Sequence, residues 1–322
     1  MELNKITTRT LSMCGSARTF GQAIIDIAKE NKNVVVLTAD QSTAGRLDMF
    51  QKVFPERFFN VGIAEQNMIG IAAGLAKEGF TPFTLAQATF STNRCFDQFK
   101  INLGYMEFGI KVVGFGAGLG IGQYGPTHFS MEDIAMVRAI PNVVILSPAD
   151  CTETYKCIIA ASKDSRPTYI RLTGGMGNPI VYKTDYEYVI GKSIQLKEGN
   201  DISIIGTGTM VHVGLEVAAH LEEKGYSVKV IDMHTIKPLD EEAVQDCCNS
   251  KLIVTLEEHS IIGGLGSAVA EVLSMCPNRP KHLIVGIQDT YPIPGEYNYL
   301  LALAKLTPKD IENKIEKVLL SN

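Results

Sequence analysis

No stretch of this 322-residue chain approaches the roughly 20 apolar residues of a membrane-spanning helix. The opening residues, Met1 to Thr10, lack the apolar core of a secretory signal. There is no basic block and no long run of one charge. With a formal net charge of −5, neither nucleic acid nor an anionic membrane is expected as the main partner. No Cys-x-x-Cys pair occurs. The seven cysteines (Cys14, Cys95, Cys151, Cys157, Cys247, Cys248 and Cys276) are odd in number and scattered. That pattern suits small buried hydrophobes in a reducing cytoplasm better than a disulfide framework, and Cys14 or Cys95 as a reactive thiol is the lesser reading. Also missing are a Cys/His zinc spacing, a Ser-His-Asp-type motif, low-complexity tracts and any repeat between the halves, and no Gly-Lys-Ser/Thr follows the Gly-rich run Gly116-Ala117-Gly118-Leu119-Gly120. No metal site is expected in this chain.

What is present is a regular alternation. Apolar residues make up 45% of the chain, enough for a sizeable core, and the length suits two ordinary domains or one large one. Helical periodicity over residues 16–30 leads into Val34-Val35-Val36-Leu37, a continuous β-branched run of the kind buried in parallel sheets. Strands are expected at 79–86, 111–115, 143–146 and 168–172, with helices at 92–105, 131–139 and from Asp150 to about 161 between them. After Gly174 the pattern breaks, and it restarts near 202 with strands at 202–205, 227–231, 252–256 and 283–285. The expected class is α/β, two domains with mostly parallel sheets, at residues 1–180 and 201–322 with a linker at 181–200.

The stretch from Val61 to Ala76 stands out. An apolar approach ends at Gly62, a carboxylate follows at Glu65, and Met68, Ile69, Ala72, Ala73 and Leu75 trace a helical face with Gly70 and Gly74 four apart. Glu65 is therefore expected at the mouth of a tightly packed helix. It either caps that helix or makes a charge-assisted hydrogen bond to a bound heterocycle. Asp40 follows a strand at the sheet edge where open α/β folds bind ligands, although a turn Asp reads equally well. The Gly-rich loop at 116–128 opens no helix, so its glycines are read as letting backbone approach a ligand or a neighbouring chain. His128 closes that loop. Glu257-Glu258-His259 is read as part of a structural strand–loop–helix turn, since adjacent residues rarely converge on one metal.

Several ordered stretches resemble the C-terminal half of transketolase. They are Gly62-Ile63-Ala64-Glu65-Gln66-Asn67, Arg94-Cys95-Phe96-Asp97-Gln98, Gly125-Pro126-Thr127-His128, the run from Met131 to Asn142, and Glu257-Glu258-His259 with Gly263-Gly264-Leu265-Gly266. The resemblance implies a thiamine diphosphate pyrimidine-binding domain followed by the transketolase C-terminal domain. It implies that Glu65 hydrogen-bonds N1′ of the aminopyrimidine and so promotes proton loss at thiazolium C2, before a two-carbon ketol unit passes from a ketose to an aldose. A gapless match around Arg94 puts Phe90 where the family stacks a phenylalanine on the aminopyrimidine. Asp40 matches an Asp near the thiazolium, and His128 a His that contacts substrate hydroxyls.

The family holds the diphosphate and Mg²⁺ through Gly-Asp-Gly and a later Asn on a separate N-terminal domain. No Gly-Asp-Gly occurs here. The resemblance thus implies a split enzyme. A partner chain carries the diphosphate and Mg²⁺ site, two copies of each subunit form an α2β2 heterotetramer, and this chain is inactive alone. Three departures point to an unusual ketose, with a sulfonate, a deoxy position or a displaced phosphate. Gln123-Tyr124 stands where many members have Glu-Asp, Gly116 replaces a His, and Gly174 replaces the Arg that grips the substrate phosphate. Arg18, Arg46 and Arg171 are candidate replacement anion contacts. The alternatives are a 2-oxoacid dehydrogenase β-subunit, a deoxyxylulose-phosphate synthase piece, and a non-enzymatic half kept as a regulatory or binding subunit.

Overall fold

The computed structural model describes residues 3–321. Met1, Glu2 and Asn322, which the expected domains include, lie outside the described residues. The first unit runs α1 (Lys5–Cys14), α2 (Ser16–Glu30), β1 (Val34–Thr38), α3 (Asp48–Val53), β2 (Phe58–Asn60), α4 (Glu65–Lys77), β3 (Thr81–Gln87), α5 (Ala88–Thr92), α6 (Phe96–Phe99), β4 (Lys111–Ala117), α7 (Asp133–Arg138), β5 (Val144–Leu146), α8 (Cys151–Lys163) and β6 (Thr168–Thr173). The second runs β7 (Ile194–Lys197), β8 (Ile202–Gly206), α9 (Met210–Glu223), β9 (Val228–Asp232), β10 (Thr235–Lys237), α10 (Glu241–Asp246), β11 (Leu252–Ser260), α11 (Leu265–Leu273), β12 (Lys281–Ile287), α12 (Tyr297–Leu303) and α13 (Pro308–Leu320).

The first sheet has seven strands in the order β10-β5-β6-β4-β3-β1-β2, all parallel except β10. β1 shows why the fold follows from its residues. It is buried on both faces: Val34 and Val36 join a cluster with Phe20 and Ile24 of α2, while Val35 and Leu37 join one with Met68 and Ala72 of α4. A strand sandwiched between helices needs apolar residues at every position. The second sheet has the order β12-β11-β8-β9-β7, with only β7 antiparallel, over its own core of Ile204, Val230, Val254 and Val285. Asp150 caps α8 by accepting from Glu153 N. Among the described residues no helix is long and apolar enough to cross a membrane.

Four expectations change. The helix expected over 92–105 is broken into α5, a turn at Asn93–Cys95, α6 and a π-helical turn at Lys100–Tyr105. The stretch expected as a linker carries β7 and buries Tyr182. β10, which follows β9 in the chain, leaves the second unit and pairs with β5 of the first sheet. Gly70 and Gly74 do not make α4 tightly packed: no neighbouring element comes within 4 Å of the point where a Cβ would sit on either.

Candidate active site

The C-terminal ends of β1 and β2 and the start of α4 are tied by Asn60. Its Oδ1 accepts the N–H groups of Asp40 (3.0 Å) and Gly62 (3.1 Å), and its Nδ2 donates to Asp40 Oδ1 at 3.2 Å. Asp40 is held at φ 57°, exposed, at the mouth of a recess of about 520 Å³ lined by Gln41, Ser42, Thr43, Ala44 and Arg46. Asn60 is a tie between Asp40 and the approach to α4 that sequence reading missed. Its signal was an Asn two residues before a glycine at a strand end, a pattern that favours side-chain capping of a turn.

Glu65 begins α4 but makes no side-chain cap there. It is only 1% exposed, and both carboxylate oxygens accept from Arg94 Nη1, at 3.0 and 2.9 Å. Arg94 sits on the turn that splits the expected helix, and Gln66 Nε2 donates to its carbonyl at 3.2 Å. The Arg94 guanidinium lies over the Phe90 ring, 4.0 Å from its centroid. Phe90 in turn meets His128 edge-on at 5.3 Å, and Tyr124 packs against His128 at 4.9 Å. Thr127 Oγ1 is 2.9 Å from His128 Nδ1, which engages that nitrogen and leaves Nε2 for another partner. Five residues drawn from three separate stretches thus form one continuous line from Glu65 to Tyr124. α5 reaches this position because β4 carries Gly114 beneath it: a Cβ there would lie 2.8 Å from Ala88 Cα.

The remaining candidates fall elsewhere. Arg171 is not a free anion contact. It is 1% exposed, its Nε donates to Asp133 Oδ2 at 2.8 Å, and its Nη2 donates to the carbonyls of Ser130 (3.2 Å) and Glu258 (2.9 Å). A buried guanidinium committed to a carboxylate and two carbonyls cannot swing out at modest cost. Arg18 is exposed on α2, Arg46 in the loop after Asp40, and Gln123 in the short turn before Tyr124. Among the described residues, no hydrogen bond or ion pair joins Arg18, Arg46 or Gln123 to the Glu65–Tyr124 line. Cys95 is buried beside it, with its thiol pushed up to about 12 by burial first and Glu65 second, so it is no ready nucleophile.

Glu257, Glu258 and His259 lie at the end of β11 with separate partners. Glu257 accepts the Leu265 and Gly266 N–H groups at the start of α11, at 2.7 and 2.8 Å. Glu258 accepts from Leu119 N, Thr209 Oγ1 and Tyr297 Oη. His259, brought down to about 4 by burial, accepts from Ala135 N at 3.3 Å. Of the Gly-rich loop, Gly118 is explained by this neighbour: a Cβ there would lie 2.4 Å from Glu258 Oε1.

The buried carboxylate and the half-open aromatic face lie together at the C-terminal edge of a parallel sheet, the edge where open α/β folds bind ligands, and a second α/β unit follows. Family models agree: residues 15–178 match "Transketolase, pyrimidine binding domain" and residues 191–311 match "Transketolase, C-terminal domain". The chain belongs to the transketolase family and corresponds to its separate C-terminal section. It is 35% identical to an apulose-4-phosphate transketolase subunit of Phocaeicola vulgatus, over 90% of this chain and 93% of that one. It is 36% identical to the 6-deoxy-6-sulfo-D-fructose transketolase subunit SqwH of Clostridium sp. (strain MSTE9), over 93% of each. Among solved structures it is similar to a split-gene transketolase described as an inactive β4 tetramer, with 38% identity, a TM-score of 0.84, and coverage of 94% and 97%.

Proposed function

We propose that this chain is the catalytic-glutamate half of a two-chain, thiamine-diphosphate-dependent transketolase acting on a non-standard ketose. The observation that carries the reading is the Glu65–Arg94–Phe90 group, a buried carboxylate and an aromatic face set side by side. Those are the donor set an aminopyrimidine needs, hydrogen bonding at its edge and stacking on its plane. When bound, the cofactor supplies the carbanion chemistry. Glu65 would hold and return the proton at pyrimidine N1′, Phe90 would stack on the ring, Arg94 would orient Glu65, and Asp40 would stand at the edge of β1 beside the cofactor. His128, through Nε2, with Tyr124 and Gln123, receives substrate hydroxyls, and Arg18 and Arg46 offer the exposed cations for a substrate anion.

The diphosphate and Mg²⁺ are assigned to a partner chain, a reading supported by the coverage of 93% of two relatives named as transketolase subunits and 97% of a split-gene transketolase chain. Activity therefore requires that partner, in an α2β2 assembly built on self-associated copies. Seven unpaired thiols suit a reducing cytoplasm. The unusual-ketose reading rests on Gly174 in place of the phosphate-gripping Arg, on the commitment of Arg171 to Asp133, and on two relatives named for apulose 4-phosphate and 6-deoxy-6-sulfo-D-fructose.

Glu65→Gln in the reconstituted pair is expected to lower kcat by about 10²–10⁴-fold, the usual contribution of a positioned acid–base group, while leaving partner association intact. A variant keeping more than about a tenth of the rate would remove Glu65 from the proton path. Steady-state kinetics across ketoses test the substrate reading. Equal kcat/KM for xylulose 5-phosphate and every sulfonated, deoxy or branched ketose tried would overturn it.

A further inference from the structure

The junction between the two units holds acids that the proposed reaction does not use. Glu153 lies in the first turn of α8 and Asp232 ends β9, so one carboxyl group comes from each unit. Both side chains are fully buried. The segment connecting the units reaches between them. The Tyr182 hydroxyl donates to Asp232 Oδ2 at 2.6 Å, and the Tyr186 hydroxyl donates to Glu153 Oε1 at 3.2 Å. Ala149 N–H fills Glu153 Oε2 at 2.6 Å. Among the described residues, Asp232 Oδ1 is buried with no hydrogen-bond partner, and the Asp232 and Glu153 carboxyls adjoin each other beneath the stacked Tyr182 and Tyr186 rings, whose centroids are 4.0 Å apart.

The charge facing the pair is acidic. From α8 comes Asp150, which accepts the N–H groups of Glu153, Val181 and Tyr182. Cys157, also on α8, lies against Tyr188 and is protonated, pushed up by burial. From the connecting segment come Tyr182, Tyr186 and Tyr188, all raised by burial. After β9, His234 stacks on Tyr188 and is kept neutral by burial, at about 4. The nearby cation, Lys156, is engaged by the Tyr186 carbonyl and the exposed Asp185 carboxylate. Two adjoining carboxylates without a cation cannot both ionise in the interior. A proton between them makes a strong charge-assisted bond and gives Asp232 Oδ1 the donor it lacks.

We propose that Glu153 and Asp232 hold one proton between them, and that this shared proton fastens the two units and their connecting segment together. It makes docking of the units a pH-sensitive contact. Burial raises both groups, Asp232 to about 7 with the Asp150 charge adding to it, and Glu153 well above its ordinary value with the Asp232 charge adding to it. A raised acid contributes stability that is complete below the ordinary carboxyl range and is lost as pH rises through the folded value. The contact therefore weakens on the alkaline side.

Thermal unfolding of the full chain, wild type and Asp232→Asn, between pH 6 and 9 tests this. The Asn amide supplies a fixed N–H donor to Glu153 without a titrating proton. The wild-type midpoint is expected to fall by about 4 °C or more across that range, and the D232N midpoint by less than half as much. Glu257, also raised to about 7, adds the same background slope to both. Parallel profiles would overturn the proposal. Should D232N fail to fold, Glu153→Gln takes its place, and infrared spectroscopy reads the protonated-carboxyl stretch directly. A band at pH 6 that is weaker in E153Q supports the shared proton, and an equal band in both overturns it.

Discussion

Glu65 stands where a capping residue would, yet its carboxylate turns away from its own helix to Arg94, 29 residues on. Local sequence could place the acid at the helix start but not choose between capping and outward pairing, because the deciding group arrives from another element. The same holds for Phe90. It reads as core packing until Arg94 is found over one face and His128 against its edge. For the reconstituted enzyme, Phe90→Ala is expected to raise the thiamine diphosphate concentration at half-maximal rate by about tenfold, since ring pairs contribute about 0.5–1.5 kcal/mol beyond area burial. A coenzyme titration checks this, and an unchanged half-saturation removes Phe90 from the pyrimidine site. Asn60→Ala unties Asp40 from the start of α4. With two hydrogen bonds to Asp40 lost at about 1 kcal/mol each, a rate loss of up to about thirtyfold with unchanged circular dichroism is expected.

Among the elements, β1 and α8 were legible because their causes are local. β1 is a run of β-branched residues, and α8 carries Asp150 as a side-chain cap. The broken helix at 88–105 was not legible. Its turn at Asn93–Cys95 is stabilised by contacts from Arg94 to Glu65 and from Gln66 to the Arg94 carbonyl, both remote in sequence. Asp150 also serves beyond its helix, since its Oδ2 accepts two N–H groups of the connecting segment. Asp150→Ala should therefore cost more than a simple cap, about 2 kcal/mol or more, read as a lower denaturation midpoint in urea. A loss below about 0.5 kcal/mol would mean that water replaces all three bonds.

In the whole molecule the two units are interlocked. β10 extends the first sheet from within the second unit, and Arg171 of β6 reaches Asp133 on one side and the Glu258 carbonyl on the other. Arg171→Leu leaves Asp133 buried without its cation, at a cost of about 3–5 kcal/mol. A single cooperative calorimetric transition is expected for the wild type. In the variant it should move sharply down in temperature, and an unchanged midpoint would show that the pair contributes nothing to joining the units.

What the amino-acid order determined by itself was the alternation of buried strands and helices, the two-unit layout, and the family motifs that surround Glu65. These depend on periodicity and on residues close in the chain. Tertiary structure alone decided that Arg171 is an internal tie, that Arg94 bridges Glu65 and Phe90, and that the stretch read as a linker is built into the junction. Each is a pairing of buried polar or aromatic groups far apart in sequence, and the burial that makes such a pairing strong exists only once the chain has folded.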